Sequence, residues 1–496
     1  MKKLYFSFLL IFIAFFQLAK ADPIDSTTAR QLALRFYQQK AHISIDQRET
    51  PQIAQCAKAD ITIAGTRNTV SRDCYYVVNF NNGFVIISAD DRVEPILGYS
   101  TTSTFNTQSM PDNVTYWMDG YRQTIAEMIS NDRSASEEVS QHWYNLKHNI
   151  IESSRNAVGP LVQTTWNQEP YYNNYCPVDA ANTYSGHAVT GCVATAMAQI
   201  IRYWEYPTTG SGYHSYTTYG NPEQGYGDYG TLSVNYSEAH YDYSLMPPSL
   251  SSSSSAAQID AVAKLMYHCG VSVNMNYGPS GSGAAYAYVP NALMTYFVYP
   301  TGIQCIYKED YTDIAWKNLI KNELDNLRPL IYGGTNSYGS GHAFICDGYD
   351  GDYFHINWGW GGSSDGNFLL SPGPGNFNNN QHLIYGISAA SSFIRCGSNT
   401  LSLSSPVGGV GEIQTVEVRG HMLSGNINVT VNGNFIVGNN AGTLSTSTTL
   451  PADGGTLYVQ YQPLSSTPQT EEGYAVISSG SLRDTILLFG ESYLTM

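Results

Sequence analysis

The chain has few charged residues, and few of those charges are positive. Only 13% of its 496 residues are charged, and 24 basic residues stand against 40 acidic ones, so the net charge is −16. Binding to nucleic-acid phosphates needs clustered Lys and Arg, so this scarcity argues against a nucleic-acid partner. Tyr (39) and Gly (45) are abundant instead, a composition more typical of exported proteins than of cytosolic ones.

Long apolar runs are also scarce. One run, Leu4–Leu18, follows two lysines and precedes the small-x-small sequence Ala19-Lys20-Ala21, which is the pattern of a cleaved secretory signal. The run is shorter than the roughly 20 residues that a membrane-spanning helix needs. We therefore expect a signal peptide over residues 1–21, a secreted or cell-surface protein, and no membrane span.

Cysteine is sparse, and no C-x-x-C pair occurs among the eight. This excludes a disulfide-stapled scaffold and argues against a zinc ribbon. We expect no metal and no cofactor. Cys56 and Cys74 are candidates for one disulfide, whereas Cys269, Cys305 and Cys346 lie in apolar segments and are expected to be core thiols.

The length exceeds the roughly 250–300 residues at which a single core stops growing. The first unit after the signal reads as small and α+β. It has a helix with a Ser/Thr cap over 25–41, a hairpin at Asn81-Asn82-Gly83, and a second helix near 114–129. The charged stretch from about 131 to 155 looks helical, and it is expected to be an exposed connector that contains the processing site.

Composition changes twice more along the chain. A Gly-, Tyr- and Trp-rich part with helices and alternating strands extends to about residue 390. Short alternating strands with turn residues every 8–12 positions follow, which predicts an all-β, Ig-like sandwich. The expected domains are therefore 22–155, 156–390 and 391–496 after the signal peptide.

Chemistry is concentrated around Cys192, which opens the apparent helix "CVATAMAQIIRYW". A helix N-terminus favours an anion such as a thiolate. The small residues around Cys192 let a substrate backbone approach its sulfur. Taken alone, this window is equally compatible with a buried structural cysteine.

A general base and its partners are found elsewhere in the chain. His342 stands at a strand start, 150 residues after Cys192, a separation typical of papain-type enzymes. Asn357 can orient an imidazole by accepting its second N–H, and Trp358 can shield that bond from water. The Gln168 amide can donate to an oxyanion. This order, Gln, Cys, His, Asn, matches cysteine peptidases of the papain type.

Two other histidines compete for the role of base. His187 lies five residues before Cys192 but has no obvious orienting partner, and His355 lies in the strand that carries Asn357. Both are expected to be structural or substrate-facing.

The stretches "WNQEPYYN", "GHAVTGCVATAMAQIIRYWEYP", "GVSVNMNYGPSGSG" and "GHAFICDGYDGDYFHINWGWGGSSDGNF" resemble the streptopain family of secreted bacterial cysteine peptidases. The N-terminal unit, with "NNGFVIISADDRVEPILGYS", is similar to that family's propeptide. The resemblance implies a papain-like α+β fold of two subdomains, a propeptide that blocks the site until proteolysis, and the roles given above. It also implies a substrate cleft lined by Gly278, Ser280, Gly281, Ser282 and Gly341.

This sequence departs from papain itself in two respects. It lacks a Cys-Gly-Ser-Cys-Trp motif, and Gln168 precedes Cys192 by 24 residues, a longer gap than in papain.

The predicted function is a secreted cysteine endopeptidase made as a zymogen, with protein substrates and its own propeptide as inhibitor. The alternatives are a cysteine amidase or acyltransferase acting on cell wall, and a non-catalytic surface binding protein. The C-terminal sandwich is expected to bind a surface or a partner.

Overall fold

The computed structural model describes residues 22–41, 51–62, 68–108, 110–150, 157–335, 341–371, 379–389 and 392–494. The predicted signal peptide lies outside these residues. None of the described helices is long and apolar enough to cross a membrane.

Helices and strands alternate through the first four-fifths of the chain, and strands alone follow. The helices are α1 (Ser26–Lys40), α2 (Asp112–Ser130), α3 (Glu137–Lys147), α4 (Cys192–Trp204), α5 (Ala256–Ser272), α6 (Tyr288–Thr295) and α7 (Asp313–Asp325). The strands before residue 390 are β1 (Gln52–Thr62), β2 (Thr69–Asn79), β3 (Phe84–Ser88), β4 (Ile96–Ser100), β5 (Ala157–Val158), β6 (Tyr213–Thr217), β7 (Thr231–Asn235), β8 (Gln304–Tyr307), β9 (Leu330–Thr335), β10 (Gly341–Asp350), β11 (Tyr353–Asn357), β12 (Gly366–Leu369) and β13 (Asn379–Tyr385). Those after it are β14 (Phe393–Cys396), β15 (Thr400–Pro406), β16 (Gln414–His421), β17 (Ile427–Val431), β18 (Phe435–Gly438), β19 (Ser447–Leu450), β20 (Gly454–Tyr461), β21 (Thr470–Ser479) and β22 (Leu482–Tyr493).

The N-terminal unit has the predicted helices and hairpin, with one correction at a helix cap. The cap of α1 is Asp25, not a Ser or Thr, because its carboxylate accepts hydrogen bonds from the backbone N–H groups of Thr27 and Thr28. A carboxylate here satisfies two free N–H groups and complements the positive end of the helix dipole.

The expectation of an exposed connector over 131–155 is wrong for its central part. Helix α3 occupies that part and buries Val139, Trp143 and Leu146 against the same core as α1. The indole of Trp143 donates to the carbonyl of Val93 at 2.8 Å. The charged residues that dominate the sequence here are the outer face of an amphipathic helix. Residues 151–156 lie outside the described ranges.

One antiparallel sheet joins the N-terminal unit to the central part of the chain. Its strand order is β1-β2-β3-β4-β12-β11-β10-β9-β13-β8, with β5 paired to β10. The junction is the pairing of β4 with β12, in which Tyr99 faces Asn367 and Gly98 faces Phe368. The first four strands therefore extend the sheet that positions His342 and Asn357.

The two faces of this sheet bury different cores. Ala343 and Ile345 of β10 pack with α4 and α5. Phe344 and Cys346, the alternate residues of the same strand, pack with α2 and α7. Because side chains alternate along a strand, β10 separates the surroundings of Cys192 from those of the N-terminal unit.

The C-terminal part is a β-sandwich, as predicted. Its sheets have the orders β14-β16-β20-β18 and β15-β22-β21-β17-β19, and their inner faces share one core. The sandwich contacts the last turn of α4: the guanidinium of Arg395 donates to the carbonyl of Tyr203 at 3.1 Å, and Phe393 packs edge-on against Trp204. The N–H of Gly159 also donates to the carbonyl of Gly397 at 2.7 Å.

All eight cysteines are free thiols, so the predicted Cys56–Cys74 disulfide is wrong. A register shift opposite Ala57 and Lys58 makes Cys74 a bulge residue. Cys74 is buried with Tyr75 in the core shared with α2, whereas Cys56 packs against the α1 core. The bulge thus directs the two thiols to opposite faces of the sheet.

Candidate active site

Cys192 is the first residue of α4, as the sequence predicted. Gly191 caps the helix with a φ of 86°, a left-handed conformation that favours glycine. A Cβ at this position would lie 2.8 Å from the sulfur of Met275 and 2.9 Å from the carbonyl of Ser282. Both backbone conformation and space therefore require glycine immediately before the thiol.

The thiol of Cys192 is held in its neutral form in this structure. Burial raises its pKa, and the N–H groups of Ala343, Val193 and Cys192 itself oppose that effect. The N–H of Ala343 lies 3.4 Å from the sulfur. The helix terminus therefore offers donors to a thiolate, but no described residue places a cation near the sulfur, and the protonated form prevails.

His342 lies one residue before Ala343 and points to the other face of the sheet. It lines a cavity together with side chains of α2, β9 and β10: Asn113, Tyr116, Trp117, Tyr332 and Phe344. Its ring stacks on Trp360, with the centroids 6.0 Å apart and the planes at 19°. The Nε2 atom is buried and has no hydrogen-bond partner among the described residues.

This position decides the charge of the imidazole. Burial lowers the pKa of His342 to about 3, so the ring is neutral at physiological pH. Since Ala343 faces Cys192, strand alternation places His342 away from it. The structure therefore does not bring Cys192 and His342 together, and neither group is ionised.

The N-terminal unit supplies the other wall of that cavity through α2. The side-chain oxygen of Asn113 accepts from the indole N–H of Trp360 at 3.0 Å, and its amide donates to the carbonyl of Trp358 at 3.4 Å. Trp117 packs edge-on against Trp358 and Phe344, at centroid distances of 5.7 and 5.8 Å. These contacts hold α2 over the face on which His342 lies.

Asn357 is buried and bonded to residues other than His342. Its amide donates to the carbonyl of Thr164 at 2.7 Å, and its oxygen accepts from Gly359 N–H at 3.1 Å and from the Gln199 amide at 3.3 Å. Gln199, on α4, was not identified from the sequence. An i, i+7 spacing from Cys192 along the helix was the available signal.

Trp358 and Gln168 flank this arrangement. Trp358 is buried, and its indole donates to the carbonyl of Ser364 at 3.0 Å. Gln168 is also buried, and its carbonyl accepts from the N–H of Thr190, two residues before Cys192, at 3.4 Å. Gln168 therefore lies on the segment beside the start of α4.

The predicted cleft loop lies directly against the segment before Cys192. The hydroxyl of Ser282 donates to the carbonyl of Val189 at 2.7 Å and accepts from the N–H of Gly278 at 3.0 Å. Gly281, at the tip of the loop, and the preceding residue, Ser280, are both exposed. Gly341 is exposed at the first position of β10.

The two competing histidines both have other partners. The Nδ1 atom of His187 lies 2.8 Å from the carbonyl of Cys176. The Nδ1 atom of His355 lies 2.6 Å from the carboxylate of fully buried Asp347. Burial opposes charge on His355, but the neighbouring carboxylates of Asp347 and Asp365 raise its pKa.

Two protein families and several known proteases match this chain. Residues 166–368 match the model of the peptidase C10 family, and residues 21–125 match that of the Spi protease inhibitor. Streptopain of Streptococcus pyogenes is 33% identical over 377 residues, which cover 72% of this chain and 90% of streptopain. The thiol protease/hemagglutinin PrtT of Porphyromonas gingivalis is 29% identical over 79% of this chain, which spans 45% of PrtT.

A solved structure extends the likeness to the fold. A fragment of prointerpain A from Prevotella intermedia superposes with a TM-score of 0.52 at 30% identity, covering 68% of this chain and all of the fragment. The predicted papain-like α+β architecture is thereby confirmed. The chain belongs to the peptidase C10 family, the streptopain family of papain-like cysteine endopeptidases, and carries an inhibitor-type propeptide domain ahead of its protease domain.

Proposed function

We propose that this chain is a secreted cysteine endopeptidase whose propeptide keeps it latent by holding His342 on the wrong face of β10. The observation that carries the proposal is the adjacency of two groups on one strand. The N–H of Ala343 contacts the thiol, while the preceding residue, His342, lies in the cavity under α2. A local rotation at Gly341 and His342 would move the imidazole to Cys192 once α2 has left.

The assembled pair performs peptide hydrolysis through an acyl-enzyme. His342 takes the proton of Cys192, and the thiolate, stabilised at the start of α4, attacks the scissile carbonyl carbon. The carbonyl electrons move onto oxygen, where the Gln168 amide and the Cys192 N–H stabilise the charge. The C–N bond then breaks as the imidazolium protonates the departing amine. His342 finally activates a water, whose attack on the thioester releases the acid and regenerates the thiol.

The remaining predicted residues support these steps. Asn357 would accept the second N–H of His342 in place of its present donors, Gln199 and Gly359, and Trp358 would shield that bond. The loop that contains Gly278, Ser280, Gly281 and Ser282, together with Gly341, would line the cleft for protein substrates.

The proposed latency of the protease also follows from the neutral forms of Cys192 and His342. A thiol with a raised pKa and an imidazole with a pKa near 3 cannot form an ion pair. In this proposal the propeptide extends over 22–155, the protease domain over 156–390 and the sandwich over 391–496, preceded by a signal peptide over 1–21. The described residues of the C-terminal sandwich contribute none of the predicted catalytic side chains.

Comparison of the wild type with Cys192→Ala tests this proposal. Secreted wild type should lose its propeptide and hydrolyse casein, whereas Cys192→Ala should stay full-length and inert. Cys305→Ala is the matched control, because this half-buried thiol lies in the same domain and has no proposed role. Casein cleavage by the Cys192→Ala protein would refute the assignment. A wild type that is inert on casein but cleaves cell-wall amides would make the chain an amidase instead.

A further inference from the structure

Tyr286 has a buried hydroxyl on the Cys192 side of the sheet that nothing among the described residues satisfies. Its oxygen is inaccessible to solvent and has no hydrogen-bond partner there. The residue follows the cleft loop and precedes α6. Buried hydroxyl groups nearly always have a partner, and leaving one without a partner is destabilising. An unsatisfied hydroxyl at this position therefore suggests a partner that binds later.

A row of residues across three strands locates this hydroxyl. Gly333 of β9 pairs with Ala343 of β10 on one side and with His382 of β13 on the other. A Cβ on Gly333 would lie 2.3 Å from the Tyr286 oxygen, so the phenol occupies the space that a larger residue would fill. The edge of His382 meets the Tyr286 ring, with the centroids 3.7 Å apart.

The same row ends at the nucleophile. Ala343, whose N–H contacts the Cys192 sulfur, directly neighbours the glycine that Tyr286 covers. After burial, charge on Cys192 is the largest contribution that raises the pKa of Tyr286. The phenol therefore lies within electrostatic range of the thiolate and stays protonated, as a hydrogen-bond donor.

We propose that Tyr286 is a substrate-binding residue whose hydroxyl donates a hydrogen bond to an oxygen of the peptide bound across Cys192. This inference rests on the proposed function. His342 is excluded as the missing partner, because in the assembled site its two ring nitrogens bond to Cys192 and Asn357. Peptide carbonyl or carboxamide oxygens are the acceptors that arrive with a substrate. A glycine at position 333 leaves the space that the Tyr286 hydroxyl occupies.

The test is Tyr286→Phe in the processed enzyme, with Tyr288→Phe as the matched control. Tyr288 is two residues away, at the start of α6, and is 49% exposed. On a quenched peptide pool, Tyr286→Phe should lower kcat/KM about tenfold, mainly through KM, because one hydrogen bond to substrate is lost. The control should stay within about twofold, and both limbs of the pH profile should stay in place.

Stability provides a second readout. In the unprocessed Cys192→Ala background, Tyr286→Phe should not lower Tm, because no bond is lost when the substrate is absent. An unchanged kcat/KM, a shifted pH limb or a Tm several degrees lower would each overturn the proposal. Stoichiometric labelling of Cys192 by a thiol-directed epoxide in Tyr286→Phe separates the role of Tyr286 from the proposed protease function. If the variant is labelled and its kcat/KM is unchanged, the role of Tyr286 is refuted and the protease function stands.

Discussion

Replacing His342 with Asn should make the stability of the unprocessed chain less sensitive to acid. The perturbation is best made in a Cys192→Ala background, which keeps the propeptide attached. The cavity around His342 is lined by Asn, Gln, Gly and aromatic residues, with no carboxylate among the described ones. Burial lowers the pKa of the imidazole from 6.5 to about 3. The folded state therefore binds this proton more weakly than the unfolded state does.

The size of this effect follows from the linkage between proton binding and folding. When the pKa of a base is lower in the folded state than in the unfolded state, the base does not affect the free energy of unfolding above the unfolded pKa. The free energy of unfolding then decreases as the pH falls from about 6.5 towards 3. At pH 5 the unfolded imidazole is almost fully protonated and the folded one is not. The cost at that pH is about 2 kcal/mol, and it is close to zero at pH 7.5.

Urea unfolding at the two pH values measures this difference. Between pH 7.5 and pH 5, Cys192→Ala should lose about 2 kcal/mol more of its free energy of unfolding than Cys192→Ala/His342→Asn does. All other titrating groups are common to both chains, so their contributions cancel. Parallel pH dependences would show that His342 is not buried in this cavity, and the explanation of latency would then be wrong.

Two further substitutions test contacts between domains. Asn113→Ala in the wild-type background removes the hydrogen bonds to Trp358 and Trp360, so propeptide processing should be about tenfold faster or more; an unchanged half-time in a gel time course would contradict this. Arg395→Ala removes a cation from the end of α4 and should lower Tm of the Cys192→Ala chain by about 2–4 °C, whereas exposed Arg483→Ala should not. Equal Tm values for the two arginine variants would count against a stabilising role of this contact.

Local chemistry made much of the fold predictable. Small residues after Cys192 and an apolar stripe identify α4, and the Asn-Asn-Gly turn identifies the β2–β3 hairpin. The helical character of the stretch containing α3 was predicted, but its burial was not, because its charged outer face dominates its composition while its core contacts depend on α1. The Cys56–Cys74 pairing failed because a bulge, which redirects Cys74, depends on the register with the opposite strand.

The residues of the site could be predicted from the sequence, but their arrangement in the unprocessed chain could not. Spacing identified His342 as a residue at a strand start, yet the face on which it lies depends on α2, a helix more than 200 residues earlier. The bonds of Asn357 to Gln199 and Thr164 likewise form between segments that are distant in sequence. Tyr286 was missed because one tyrosine among 39 has no local signal; only the absence of a side chain at Gly333 reveals its place.

The contact between the sandwich and α4 also has a consequence for the order of folding. Arg395, which caps the last turn of the nucleophile helix, belongs to β14. The N–H of the next residue, Cys396, donates to the carboxylate of Asp484 in the final strand, β22, at 2.9 Å. A chain that is synthesised from its N-terminus cannot complete this set of contacts until β22 has been made. The helix that carries the nucleophile therefore receives its final support only after almost 300 further residues, since α4 starts at Cys192 and β22 at Leu482.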